Sequence, residues 1–129
     1  MKSLVLILCI AACTGGGDDI EPGDDCLTDS CVCPGTSSCD HACSPGGPPC
    51  HVQCGAGQSC AVSCEPGEEC HVEASTSAQV TVDCNSTFEC HVTCPATGCT
   101  VTECVGAECE VTCGLTGIAT RNGTTATCP

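Results

Sequence analysis

A short alternation of apolar and polar residues recurs along this chain about every ten positions. Alternation with a period of two is typical of β-strands, in which neighbouring side chains point to opposite faces. The cysteines and valines therefore share one face, which we expect to point inward, while variable polar residues share the other. The unit reads Cys-x-Val-x-Cys, or a shortened form of it, at Cys50–Cys54, Cys60–Cys64, Cys70–Glu73, Cys90–Cys94, Cys99–Thr102 and Cys109–Cys113.

The segments between these strands consist of residues that favour turns, as in Gly55–Ser59 and Glu65–Glu69. One short strand in every ten residues indicates a repeat architecture without helices. We predict an all-β fold, a narrow β-solenoid that stacks coils of about ten residues around a Cys/Val interior. The alternative is a β-meander with a disulfide across each hairpin, which would leave the Cys/Val face uncovered.

One repeat departs from the pattern in a way that predicts how the cysteines pair. Ala74 and Val80 occupy the positions of two neighbouring cysteines, the last of one strand and the first of the next. Cysteines that are missing together would have been partners, so we expect each strand to be bonded to its successor. The resulting pairs are Cys26–Cys31, Cys33–Cys39, Cys43–Cys50, Cys54–Cys60, Cys64–Cys70, Cys84–Cys90, Cys94–Cys99, Cys104–Cys109 and Cys113–Cys128.

The main rival pairing joins the two cysteines of one strand, such as Cys50 and Cys54. In a straight strand, with a rise of about 3.3 Å per residue, their Cα atoms would lie roughly 13 Å apart. A disulfide spans at most about 7 Å. Geometry therefore favours the sequential pairing, although a tightly curved coil would weaken this objection.

The first residues have the pattern of an export signal. Met1-Lys2-Ser3 is a short positive segment, and the apolar stretch from Leu4 to Ile10 is too short to cross a hydrocarbon core of about 30 Å. The next residues, Ile10-Ala11-Ala12-Cys13, resemble the lipobox of bacterial lipoproteins. The resemblance implies cleavage before Cys13 and acylation of that residue; ordinary cleavage after Ala12, with a free thiol on Cys13, is the alternative.

The lipoprotein resemblance has consequences for location and domain organisation. Acyl chains on Cys13 would hold the protein to a membrane, and Thr14 after the cysteine favours the outer membrane or cell surface. We divide the chain into a signal peptide (1–12), an acidic, Gly-rich tether behind the lipidated cysteine (13–25) and a Cys-rich repeat domain (26–129). Exported compartments permit disulfides, and eighteen of the twenty cysteines remain after Cys9 and Cys13 are set aside.

Composition excludes several classes of function. After loss of Lys2, Arg121 is the remaining Lys or Arg against sixteen Asp and Glu, so nothing would neutralise the phosphates of a nucleic acid. Trp and Tyr are absent and Phe88 is the single aromatic residue, so disulfides must replace an ordinary core. The spacing of the disulfides is similar to that in the small disulfide-laced β-helices of insect antifreeze proteins, although the period of ten differs from theirs.

Candidate chemistry is limited to the histidines. His51, His71 and His91 occupy the same outward position of alternate repeats, and in a stack of ten-residue coils they would lie about 9.6 Å apart. Neighbouring Glu69, Glu73 and Glu89 could complete a weak Cu²⁺ or Zn²⁺ site. The alternative is that the histidines are merely exposed residues carried along with the repeat.

No catalytic motif or C-x-x-C pair is present in the sequence, so we expect neither an enzyme nor a bound cofactor. Free thiolate metal clusters are disfavoured by the oxidising compartment and by the wide cysteine spacing. The favoured interpretation is a cell-envelope lipoprotein whose rigid, acidic repeat domain has a structural role or binds an envelope or extracellular protein. Weak metal binding through the His/Glu face is the alternative function.

Overall fold

The structure, a computed structural model, describes residues 31–33 and 38–129. This part of the chain contains no helix and consists of short strands joined by turns. The strands are β1 (Cys31–Val32), β2 (Ser38–Ala42), β3 (Cys50–Gln53), β4 (Ser59–Ser63), β5 (Glu69–Glu73), β6 (Gln79–Asp83), β7 (Glu89–Cys94), β8 (Cys99–Thr102), β9 (Cys109–Cys113), β10 (Gly117–Ile118), β11 (Thr120–Asn122) and β12 (Thr125–Cys128).

Successive strands from β1 to β9 alternate between two sheets, so the fold is a β-solenoid of about four turns. One sheet has the order β1-β3-β5-β7-β9-β10 and the other the order β11-β12-β8-β6-β4-β2. The predicted solenoid is confirmed, but its coil contains about twenty residues and two strands rather than ten residues and one. Each ten-residue unit contains one chain reversal and leads to the opposite sheet. Two units are therefore needed before the chain returns to the first sheet and pairs in parallel with the strand of the previous coil.

The interior is formed by the inward face that the alternation predicts. In β5, for example, Cys70 and Val72 are buried and Glu73 is exposed. Parallel pairing aligns identical inward residues of adjacent coils, such as Val72 with Val52 and Val92. The buried apolar set of the described residues consists of cysteine, valine and alanine. Stacked coils therefore close a core that no single repeat could bury alone.

Eight disulfides are present among the described residues, and each joins two cysteines that the sequence analysis pairs. Seven of them link consecutive strands, and Cys113–Cys128 joins β9 to β12. Their Cα atoms are between 5.4 Å and 6.3 Å apart, within the reach of a disulfide. Seven of them close a chain reversal of five to seven residues, which we call a corner. The within-strand rival is thereby wrong, because the two cysteines of each strand lie at opposite ends of an extended segment.

The corner between Ala74 and Val80 has hydrogen bonds in place of a disulfide. Ser77 Oγ donates to the carbonyl oxygen of Gly55 at 3.2 Å, and Ala78 N donates to the carbonyl oxygen of Gln58 at 2.8 Å. Gln58 is fully buried and its Oε1 accepts a 2.8 Å hydrogen bond from Gly55 N. This corner is thus held by the coil that precedes it.

The C-terminal residues end the solenoid as a cap. β10 pairs antiparallel to β9, and the β11–β12 hairpin pairs antiparallel to β8. The Cys113–Cys128 disulfide joins this cap to the last parallel strand. Arg121 also reaches back to the preceding corner, where its guanidinium donates to the Cys109 carbonyl oxygen and lies 3.2 Å from Cys104 Sγ. The cap covers an edge at which another strand could otherwise pair.

The predicted signal peptide, Cys13 and the tether lie outside the described residues, as does Cys26, so the Cys26–Cys31 disulfide stays a prediction. Within the part of the chain that is described, no helix has the length and hydrophobicity needed to span a membrane.

Candidate functional site: the histidine column

Three histidines form a continuous stack on the outer face of one sheet, which we call the histidine column. His51, His71 and His91 occupy paired positions on β3, β5 and β7. The ring centroids of His51 and His71 are 4.7 Å apart, and those of His71 and His91 are 4.9 Å apart, with the rings nearly parallel. The predicted spacing of about 9.6 Å is wrong, because coils of twenty residues place alternate repeats on adjacent strands.

Two histidines of the column each contact a glutamate two residues earlier on the same strand. His71 Nε2 lies 2.5 Å from Glu69 Oε1, and His91 Nε2 lies 2.6 Å from Glu89 Oε1. Side chains two positions apart on a strand share a face, so the repeated sequence Glu-Cys-His-Val at 69–72 and 89–92 builds the same pair twice. All four side chains are roughly one-third exposed.

The two ends of the column differ from its centre. On β9 the equivalent position is Glu110, whose Oε2 lies 3.3 Å from His91 Nδ1. Both ring nitrogens of His91 therefore face carboxylates. At the other end, Pro49 stands two residues before His51, so His51 has no glutamate at the corresponding position.

One potential ligand atom from each of Glu69, His71 and Glu89 lies within 4.8 Å of the other two. These residues come from two adjacent strands, because Glu69 pairs with Glu89 in the parallel ladder. A shallow groove of about 420 Å³ runs beside the column and is lined in addition by Gln53 and Thr93. The arrangement offers one imidazole and two carboxylates to a small cation on an open surface.

Glu73, which the sequence analysis placed with this group, lines the same groove but is not a member of the Glu69, His71 and Glu89 cluster. Its carboxylate accepts a 3.1 Å hydrogen bond from the backbone of Ser75 in the following turn. Glu110 was not anticipated as a neighbour of the column. Histidine recurs every twenty residues at 51, 71 and 91, and Glu110 occupies the equivalent position of the next coil. This recurrence is the signal that could have identified Glu110 as a neighbour.

The disulfide-bonded cysteines of the described residues offer no thiolate to a metal ion. Sulfur atoms of adjacent coils come close together, as in Cys84 and Cys109, whose Sγ atoms are 3.8 Å apart. All sixteen cysteines from Cys33 to Cys128 are nevertheless in disulfides. Metals bind thiolates, and a sulfur in a disulfide is not a thiolate.

Charge is divided unequally between the two edges of the solenoid, where the chain turns from one sheet to the other. The acidic edge consists of the corners Cys43–Cys50, Cys64–Cys70, Cys84–Cys90 and Cys104–Cys109. The first of these is uncharged, and the other three contain Glu65, Glu68, Glu69, Glu89 and Glu108. The neutral edge consists of the corners Cys54–Cys60, Ala74–Val80 and Cys94–Cys99, which contain no charged residue. The histidine column runs alongside the acidic edge, because Glu69 and Glu89 lie two residues before His71 and His91 on their strands.

Comparison with protein-family models, with curated proteins and with solved structures finds no match to this chain. Its function must therefore be inferred from its own residues: the disulfide ladder, the charge of its two edges and the histidine column.

Proposed function

We propose that the chain is a cell-envelope lipoprotein whose solenoid is a rigid, acidic module with a structural or protein-binding role. The observation that carries this proposal is that, in the described part of the chain, nearly every corner has a disulfide and the buried apolar residues are cysteine, valine and alanine. Extensive disulfide bonding matches an exported, non-cytoplasmic protein. The lipid on Cys13 and the location at the outer membrane or cell surface are the further parts of the proposal.

Rigidity supports a structural role. Each coil is bonded to its neighbours through the parallel ladder and is closed by its own disulfides, so local unfolding would expose few sites to a protease. Among the described residues, the outward side chains are mainly small or charged and the interior is filled with cysteine, valine and alanine, so it offers no wall of large apolar side chains to a small substrate. We therefore propose a non-enzymatic role.

The acidic edge supports a protein partner with a positively charged surface. Its carboxylates lie on consecutive coils, whose paired strands are about 4.8 Å apart. The three corners of the neutral edge contain no charged residue. Arg121, the remaining cation after signal cleavage, is occupied at the cap. Complementary charge accelerates and orients the encounter of two proteins, and a one-sided charge would favour binding along one edge.

The anchoring part of the proposal is tested by expressing the full chain in a bacterial host and separating its membranes. We expect the protein in the membrane fraction, with a mass that includes acyl chains on Cys13. Cys13→Ser should release it, whereas Cys9→Ser, inside the signal, should leave anchoring unchanged. A wild-type protein that is soluble and lacks acyl chains would contradict the lipoprotein assignment.

The binding part is tested with the purified domain immobilised against envelope and extracellular extracts. Neutralising the acidic edge with Glu65→Gln, Glu68→Gln and Glu108→Gln should release a bound protein that the wild-type domain retains at low salt. The matched control carries three uncharged substitutions on the neutral edge, Ala56→Gln, Thr76→Gln and Thr97→Gln. Equal retention by both variants would exclude the acidic edge as the binding surface.

The alternative function, metal binding through the His/Glu face, is favoured by a separate observation, the stacked histidine column with its paired glutamates. It involves neither the lipid anchor nor a protein partner.

A further inference from the structure

We propose that Glu69, His71 and Glu89 form a site for one divalent transition-metal ion such as Zn²⁺. The site bridges two coils, since Glu69 and His71 lie on β5 and Glu89 lies on β7. This inference is independent of the envelope role, because it rests on the side-chain geometry of the described residues alone.

The distances suit a single ion. Zinc binds imidazole nitrogen and carboxylate oxygen at about 2.0–2.2 Å, so two ligand atoms on one ion lie at most about 4.4 Å apart. The ligand atoms of the three residues lie within 4.8 Å of one another. Small side-chain rotations would bring them into range, and the 2.5 Å contact between His71 Nε2 and Glu69 Oε1 would open to admit the ion.

The choice of ion follows from the ligand types. An imidazole with two carboxylates suits zinc and copper, whereas Ca²⁺ and Mg²⁺ prefer oxygen ligands alone. The surrounding charge also favours a cation, because the acidic edge lies beside the site and the chain has a formal net charge of −14. Water would complete the coordination, since the three side chains are each roughly one-third exposed.

His71 is distinguished from the other members of the column. His91 also contacts Glu89, but its other ring nitrogen faces Glu110, and it is not a member of the three-residue cluster. His51 follows Pro49 instead of a glutamate and so lacks the paired carboxylate. The column therefore contains its own control: His51 also stacks on a neighbouring imidazole ring but is not part of the proposed ligand set.

The experiment is isothermal titration of the oxidised, folded domain with Zn²⁺ alone, and with Ca²⁺ for comparison. We expect saturable binding of one Zn²⁺ per chain and no saturable binding of Ca²⁺. His71→Ala, Glu69→Gln and Glu89→Gln should each weaken Zn²⁺ binding by about tenfold or more. His51→Ala and Glu103→Gln, which removes an exposed charge elsewhere, should leave the dissociation constant unchanged.

A second measurement locates the ion. In NMR spectra of the imidazole groups, the His71 signals should shift with added Zn²⁺ in proportion to occupancy, and circular dichroism should show that every variant keeps its β-structure. Four results would overturn the proposal. They are an absence of Zn²⁺ binding, equal binding of Ca²⁺, equal weakening by Glu103→Gln and the two site glutamines, and equal weakening by His51→Ala and His71→Ala. The second and third would indicate attraction to acidic charge alone, and the fourth would assign binding to the imidazole stack.

Discussion

The corner at Ala74–Val80 and the disulfide-closed corners Cys54–Cys60 and Cys94–Cys99 occupy equivalent places on the same edge but are held together differently. Val80 pairs in register with Cys60 on one side and Cys99 on the other. Ala74 and Val80 are as deeply buried as the cysteines they replace. The path of the chain at a corner is thus determined by the parallel ladder and the inward apolar side chains, and a sulfur–sulfur bond is not needed to shape it.

The contrast indicates where the disulfides act. If they do not shape the corner, their contribution lies in restricting the unfolded chain, at about 2 kcal/mol for a loop of six or seven residues. The corner without one donates hydrogen bonds to the preceding coil, from Ser77 Oγ to the Gly55 carbonyl oxygen and from Ala78 N to the Gln58 carbonyl oxygen. Four changes would break or sharpen this comparison.

Removal of every disulfide should have the largest effect. The eight contributions, at about 2 kcal/mol or more each, together exceed the roughly 5–15 kcal/mol by which a typical domain is stable. We expect the domain, once reduced in guanidinium, to remain unfolded when the denaturant is removed with reductant still present. Far-UV circular dichroism measures this, with the same cycle without reductant as the control. Return of the β-sheet signal in fully reduced protein would show that stacking alone suffices.

Replacing the disulfide of the next corner on the same edge with the Ala/Val pair found at Ala74 and Val80 should have the second-largest effect. Cys94→Ala with Cys99→Val reproduces the Ala74–Val80 pair at the following corner of the same edge. We expect the fold to persist and the free energy of unfolding to fall by about 2 kcal/mol, as measured by guanidinium denaturation. Loss of the folded state would mean that this corner, unlike its neighbour, depends on its disulfide for its shape.

The reverse exchange should stabilise the domain by up to about 2 kcal/mol. Ala74→Cys with Val80→Cys places two cysteines where the ladder holds Cys54 and Cys60 one coil earlier. We expect a further disulfide, detected by peptide mapping, and a higher denaturation midpoint. The two single substitutions are controls for the change in packing. Two free thiols in the folded double variant would contradict the equivalence of the corners.

Loss of a single hydrogen bond at the exceptional corner should have the smallest effect. Ser77→Ala removes the donor to the Gly55 carbonyl and should lower the free energy of unfolding by about 1 kcal/mol. Thr76→Ala, one residue away and exposed, should have no measurable effect. Equal denaturation midpoints for the two variants would indicate that the Ser77 hydroxyl does not help to replace the disulfide.

The disulfide pairs and the inward face could be predicted from the sequence because both depend on neighbouring repeats. The absence of a cysteine at both Ala74 and Val80 identified partners directly. The length of the coil could not be obtained from the cysteine spacing, since every strand contributes the same inward residues. It was indicated instead by the outward residues: histidine recurs at 51, 71 and 91, whereas the intervening strands have Ala61 and Thr81 at that position.

The error in coil length also affected the candidate site. A spacing of about 9.6 Å made a shared ion impossible, whereas stacking at 4.7 Å and 4.9 Å brings Glu89 to the side of Glu69 and His71. The role of Gln58 was missed for the same reason. Its contact with the corner one coil later depends on which residues are stacked, and that information lies in the register of the strands.

The local connectivity of the disulfides leaves the solenoid free to change length by duplication or deletion of a coil. A segment such as residues 54–73 contains two whole disulfides, Cys54–Cys60 and Cys64–Cys70, and begins and ends at equivalent points of the ladder. Its insertion or loss would leave no cysteine without a partner and no strand out of register. Where disulfides join distant parts of a chain, loss of twenty residues would leave cysteines without partners. Here the same change would lengthen or shorten the solenoid by one coil.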